Sequence, residues 1–95
     1  MAKGYLIARV DVTNPAAWAE YAKGSSEAVR LHGGRFLARG GRHEALEGEA
    51  RGRNIVLEFD SFEAAHAFYV SPEYQAAKMK RAGAGVGEFM LLEGV

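Results

Sequence analysis

The chain has no cysteine among its 95 residues. That absence excludes a disulfide framework, a thiolate nucleophile and any zinc site built on sulfur. It also has no excess of either charge. Twelve basic and twelve acidic side chains cancel, so no bulk field draws the protein to nucleic acid or to an anionic membrane. Long apolar runs are missing too. The opening MAKGYLIARVDV holds a run of only four apolar residues before Arg9, too short for a signal-peptide core or a membrane span. The expectation is a soluble, cytoplasmic protein. His32, His43 and His66 have no i, i+4 partner, so there is no metal-ligand signature. Gly83, Gly85 and Gly87 precede a strand pattern and have the wrong spacing for a dinucleotide fingerprint.

What is there reads as one small domain, residues 1–95, with 48% hydrophobic content. A chain of this size sits near the lower limit of a self-sufficient core and often gains stability by pairing with a copy of itself. Tyr5 to Val12 is rich in β-formers and reads as a strand, with Leu6, Ala8 and Val10 on one face and Tyr5, Ile7, Arg9 and Asp11 on the other. Asn14-Pro15 starts a helix: the asparagine accepts from free N–H groups and proline at the first helical position loses no hydrogen bond. Trp18, Tyr21, Ala22, Ser25, Ala28, Val29 and His32 follow helical spacing, and Gly33-Gly34 ends it. The second strand is expected over Arg35 to about Arg42, with pairing that resumes through Glu44 to Glu47. The polar stretch from Gly48 to Arg53 turns into a third strand, Asn54 to Phe59. Ser61 caps a second helix whose expected buried stripe is Phe62, Ala65, His66, Tyr69 and Val70, with Phe68 at its margin. Ser71-Pro72-Glu73 is a fresh cap, proline and acid that carries helix on to Arg81. Ala82 to Gly87 is a flexible connector, and Glu88 to Glu93 is the last strand.

Strand, helix, strand, repeated, closes with right-handed crossovers into a ferredoxin-like α+β layer, βαββαβ: a four-stranded antiparallel sheet with two helices on one face. The first and third strands are central. Alternation then sends Leu6, Ala8, Val10, Phe36, Ala38, Ile55, Leu57, Phe59, Phe89 and Leu91 toward the helices. Ile7, Arg9, Leu37, Arg39, Val56, Glu58, Met90 and Leu92 go to the opposite face. That face is too apolar for water, and a face-to-face homodimer would cover it.

GYLIARVDV, NPAAWAEYA, GGRFLARGG, the VLEF strand and FYVSPEYQAAK together resemble the domain-of-unknown-function family 1330, in the dimeric α+β barrel superfamily. The likeness runs from about Gly4 to Gly94. It implies the ferredoxin-like fold and a sheet-to-sheet dimer, and it implies no reaction and no catalytic residues. Position 66, histidine here, is more often arginine in that family.

The candidate site residues come from strand parity. Arg39 and Glu58, on neighbouring strands and one face, form either a clamp for an anionic small molecule or a structural cross-strand ion pair. Arg9 shares that ambiguity. These three are the expected ligand-binding residues, with Glu58 and His66 as candidate catalytic groups: a carboxylate base, and an imidazole that titrates near neutral pH. The structural alternative for His66 is a hydrogen-bonded histidine at the edge of the core. His32 reads as a helix-end group and His43 as a solvated loop residue. The RNA-recognition fold shares this topology, but its open face needs aromatics where RNIVLEF puts Val56 and Glu58, so nucleic acid is not an expected partner. No cofactor or metal is expected. The two functional readings are a cofactor-free enzyme acting on a small anionic or aromatic metabolite, and a non-catalytic binding or structural dimer.

Overall fold

The computed structural model describes residues 2–95. Four strands, β1 (Gly4–Val12), β2 (Arg35–Arg39), β3 (Arg53–Phe59) and β4 (Gly85–Glu93), form one antiparallel sheet in the order β2-β3-β1-β4. Three helices lie against it: α1 (Pro15–Leu31), α2 (Phe62–Val70) and α3 (Pro72–Met79). This is the ferredoxin-like arrangement, with β1 and β3 in the centre. No helix among the described residues is long and apolar enough to cross a membrane.

Local chemistry sets the helix ends. The Asn14 side chain accepts from the Ala17 amide at 3.2 Å, with Pro15 at the first helical position, and Gly33 leaves the helix at φ +71. Ser71 separates α2 from α3. Because it precedes Pro72 it is held at ψ 150, outside the helical region. Its hydroxyl donates to the Phe68 carbonyl at 2.7 Å and accepts from the Tyr74 amide at 3.2 Å. One side chain thus closes one helix and opens the next, which gives three helices where two had been expected.

Leu6, Ala8, Val10, Leu57 and Phe59 from the sheet pack with Trp18, Tyr21, Ala28, Val29, Phe68, Tyr74 and Ala77 from the helices. Phe68 sits at the centre of this core, stacked on Phe59 and Tyr74 with ring centroids 5.0 and 4.9 Å away. His66 and Val70 are exposed instead. A nine-residue helix that is apolar nearly all round does not fix its own phase by periodicity, so the sheet chooses the face.

Two strand boundaries also differ from expectation. β2 stops at Arg39, and residues 40–52 form an exposed connection with no strand at Glu44 to Glu47. β4 begins at Gly85, inside the stretch read as a connector, because Gly85 and Gly87 lie directly against the β1 backbone.

Candidate functional site

A register shift in β2 decides where the charges go. Arg35 pairs with Glu58 and Phe36 with Leu57, but Ala38 pairs with Val56 and Arg39 with Ile55. Leu37 is the extra residue of a β-bulge, which inverts the parity of everything after it. Ala38 therefore takes the open face, and Arg39 turns to the helix side with Ile55.

The expected contact between Arg39 and Glu58 is consequently absent. Glu58 is held on the open face by Arg35, whose Nε donates to Oε1 at 2.6 Å, and by the Tyr5 hydroxyl at 3.2 Å. The Arg35 hydrogen bond holds the Glu58 carboxyl below its ordinary range despite its burial. Arg9, also on the open face, donates to the Glu49 carbonyl at 3.1 Å. Nearby, Arg51 binds Asp11 at 2.7 Å and Glu88 at 2.6 Å. The three sequence-derived ligand residues are thus divided between two faces. Strand alternation alone carried no sign of the bulge, since Leu37 is neither glycine nor otherwise marked.

On the helix side, α1 packs closely on α3, while α2 is the helix whose backbone lies close to the sheet. α1 and α3 approach closely at Gly24, where a Cβ would stand 2.9 Å from the Ala77 methyl. Side chains fill the space between α1 and the sheet, and they leave a narrow cleft of about 30 Å³. Trp18, Tyr21 and Ser26 from α1, Phe36 and Arg39 from β2, Arg53 and Ile55 from β3, and Tyr74 from α3 contribute to its walls. A wider depression of about 310 Å³ lies over His66, Tyr69, Phe89 and Met90, but it is an open surface feature.

No carboxylate lines the cleft, and two guanidinium groups do. Arg39 donates to the Ser26 hydroxyl and lies 3.9 Å over the Phe36 ring. Arg53 Nε is buried with no hydrogen-bond partner among the described residues. The Arg53 guanidinium occupies the place a side chain would fill at position 40: a Cβ there would be 2.6 Å from Nη1, and Gly40 has φ +63. Glycine is needed at that corner on both counts. Sequence reasoning missed Arg53, Tyr21, Tyr74 and Ser26 as site residues. The signal available was the position of Arg53 beside Val10 on the core side of β3, where an unpaired charge is costly.

The family profile of a domain of unknown function, DUF1330, matches residues 3–95. The chain belongs to the DUF1330 family. A protein of unknown function from Rhodopseudomonas palustris has the same fold, with a TM-score of 0.74 at 20% identity over 99% of this chain and 83% of that one. SnoaB, a cofactor-independent oxygenase from Streptomyces nogalater, superposes with a TM-score of 0.64 at 15% identity, covering 97% and 92% of the two chains. A dimeric ferredoxin-like protein of unknown function from Thermobifida fusca gives 0.63 at 15% identity, covering 99% and 92%. At these identities the likeness is one of fold. No curated protein matches the sequence. DUF1330 membership agrees with the resemblance read from GGRFLARGG and SPEYQ, and it assigns no reaction to the Arg39 and Arg53 cleft.

Proposed function

We propose that this DUF1330 protein is a homodimer that binds a small anionic metabolite in the cleft beneath α1. The observation that carries the reading is the acid-free cleft with Arg53, whose buried Nε has no partner. Arg30, Arg35 and Arg51 each have a carboxylate, so the chain has the means to neutralise its guanidiniums. Leaving Arg39 and Arg53 without one, beside apolar walls, suits a carboxylate-bearing ligand that completes the ion pair. The dimer reading rests on the open face, where Leu37, Met90 and Leu92 are about half exposed, and on the dimeric relative from Thermobifida fusca.

Binding is favoured over proton-transfer catalysis by the two candidate bases. Glu58 is across the sheet from the cleft and locked by Arg35, which makes it a weak base. His66 is exposed on α2, outside the cleft.

The test is thermal unfolding with benzoate and other small carboxylates, in wild type and in Arg53→Met. A ligand at ten times its Kd adds about 1.4 kcal/mol to the folded state, a shift of roughly 6–11 °C for a domain of this size. Arg53→Met is expected to melt at the wild-type temperature or above, because it removes an unpartnered buried group, and to lose the carboxylate-induced shift. If no small carboxylate moves the wild-type melting temperature, or if Arg53→Met keeps the full shift, the reading is wrong.

A further inference from the structure

The hydrogen-bond inventory around Tyr21 and Tyr74 does not balance. Both rings are buried, and their hydroxyl oxygens lie 2.9 Å apart. The remaining polar contact is Arg81, whose Nη2 is 3.5 Å from the Tyr74 oxygen. A phenol has one proton to give, and a guanidinium only donates. The bond between the two hydroxyls uses one phenolic proton. Whichever way that bond runs, the other phenolic proton has no protein acceptor among the described residues. Arg81 adds to the surplus: its Nε is buried without a partner. Its guanidinium lies against the rings of Tyr21 and Phe89, at 5.2 and 4.3 Å, which offer π-faces and no acceptor oxygen. Burial pushes the Tyr74 phenol up from its ordinary value, so at neutral pH it remains a donor. Both tyrosines line the cleft. A surplus of buried donors at a cavity wall asks for an acceptor from outside the chain.

Resting on the reading that the cleft binds an anion, we propose that the Tyr21 and Tyr74 hydroxyls, backed by Arg81, form a second subsite. It takes an acceptor oxygen of the same ligand and favours its deprotonated form. The ligand class is a carboxylic acid that also carries a phenolic or enolic hydroxyl, with its carboxylate at Arg39 and Arg53. On ionisation the ligand hydroxyl releases its proton to solvent, and the oxyanion accepts a hydrogen bond from the spare phenolic O–H, which keeps its proton; no bond of the protein is broken. Preorganised donors beside a cation, at a position as buried as these two phenols, stabilise such an oxyanion more than water does. The unliganded cleft has room for about one water. A ring exceeds that space, so the proposal requires the side chains between α1 and the sheet to rearrange on binding.

The probe is 4-hydroxy-3-nitrobenzoate, whose coloured phenolate reports its own ionisation, with 3-nitrobenzoate as the partner lacking the hydroxyl. Bound to wild type, the probe's phenol is expected to ionise at least one pH unit lower than in free solution, which corresponds to tenfold tighter binding of the phenolate form. Tyr21→Phe/Tyr74→Phe keeps the core volume and is expected to lose more than half of that shift while binding 3-nitrobenzoate as wild type does. Tyr74→Phe alone removes one of the two hydroxyls and its contact with Arg81 and is expected to lose a substantial part, which carries the test if the double variant does not fold. Binding without an ionisation shift, or a shift retained in full by either folded variant, overturns this subsite and leaves the anion reading intact. Absence of binding by either probe at millimolar concentration overturns both.

Discussion

Gly24→Ala sets two known effects against each other. In the interior of α1, alanine for glycine improves helix propensity by about 0.8–1.0 kcal/mol. The added methyl would stand 2.9 Å from the Ala77 Cβ and 3.5 Å from its Cα, whereas carbon atoms rest at roughly 3.5–4.0 Å. Ala77 is buried and has no torsion that could move its methyl aside, so the two helix axes must part by about 0.6–1 Å. Overpacking of this kind costs about 1–3 kcal/mol. The overlap therefore outweighs the propensity gain, and the net loss is about 1 kcal/mol, or roughly 4–8 °C in melting temperature for a domain of this size. Thermal unfolding by circular dichroism measures it. A double-mutant cycle isolates the cause: Gly24→Ala with Ala77→Gly is expected to be more stable than the sum of the single effects by about 1–2 kcal/mol. A higher melting temperature for Gly24→Ala alone, or strict additivity in the cycle, would refute the claim that this contact sets the spacing of α1 from α3.

Two other outcomes follow from the open face and its charges. Val56→Asp is expected to dissociate or unfold the proposed dimer, since it puts an unpaired charge at the centre of an apolar surface; sedimentation of the wild type as a folded monomer at micromolar concentration would remove the basis for that dimer. Glu58 and Glu88 have carboxyls held below the ordinary 4.5 by Arg35 and Arg51, and Asp11 is lowered from 3.8 by the Gly52 amide and Arg51. Groups with lowered folded values contribute stability that is complete above their ordinary values and is lost as pH falls through the folded ones. The urea midpoint is therefore expected to be level above about pH 5 and to drop below about pH 4, with a smaller drop in Arg35→Ala.

The parts of the fold legible in the sequence were those written in short-range chemistry. Asn14-Pro15, Gly33-Gly34 and Ser71-Pro72 each mark a helix boundary through capping and proline geometry that needs no tertiary partner. The central strands β1 and β3 followed from alternation, because nothing interrupts their pleat. The site was less legible. Arg39 was placed on the wrong face because a bulge at Leu37 arises from how β2 meets β3, and the letters RFLAR are compatible with either parity. Phe68 and His66 exchanged roles because α2 is apolar on nearly every side. The Tyr21 and Tyr74 contact joins residues 53 positions apart, and its spare proton appears only once every acceptor around it has been located.

The bulge at Leu37 also makes β2 a strand that serves two compartments. Before it, Arg35 faces the surface where a second copy would dock; after it, Arg39 faces the cleft. Side-chain exchanges at either arginine alter one compartment and spare the other. A change in length shows what the surplus residue does: removing it would restore simple alternation and leave Arg35 opposite Glu58 and Arg39 opposite Ile55, each on the face it already holds. The surplus residue is what lets two arginines four positions apart lie on opposite faces of one short strand. A relative whose β2 lacks the surplus residue would reach the same two compartments with arginines three positions apart instead of four.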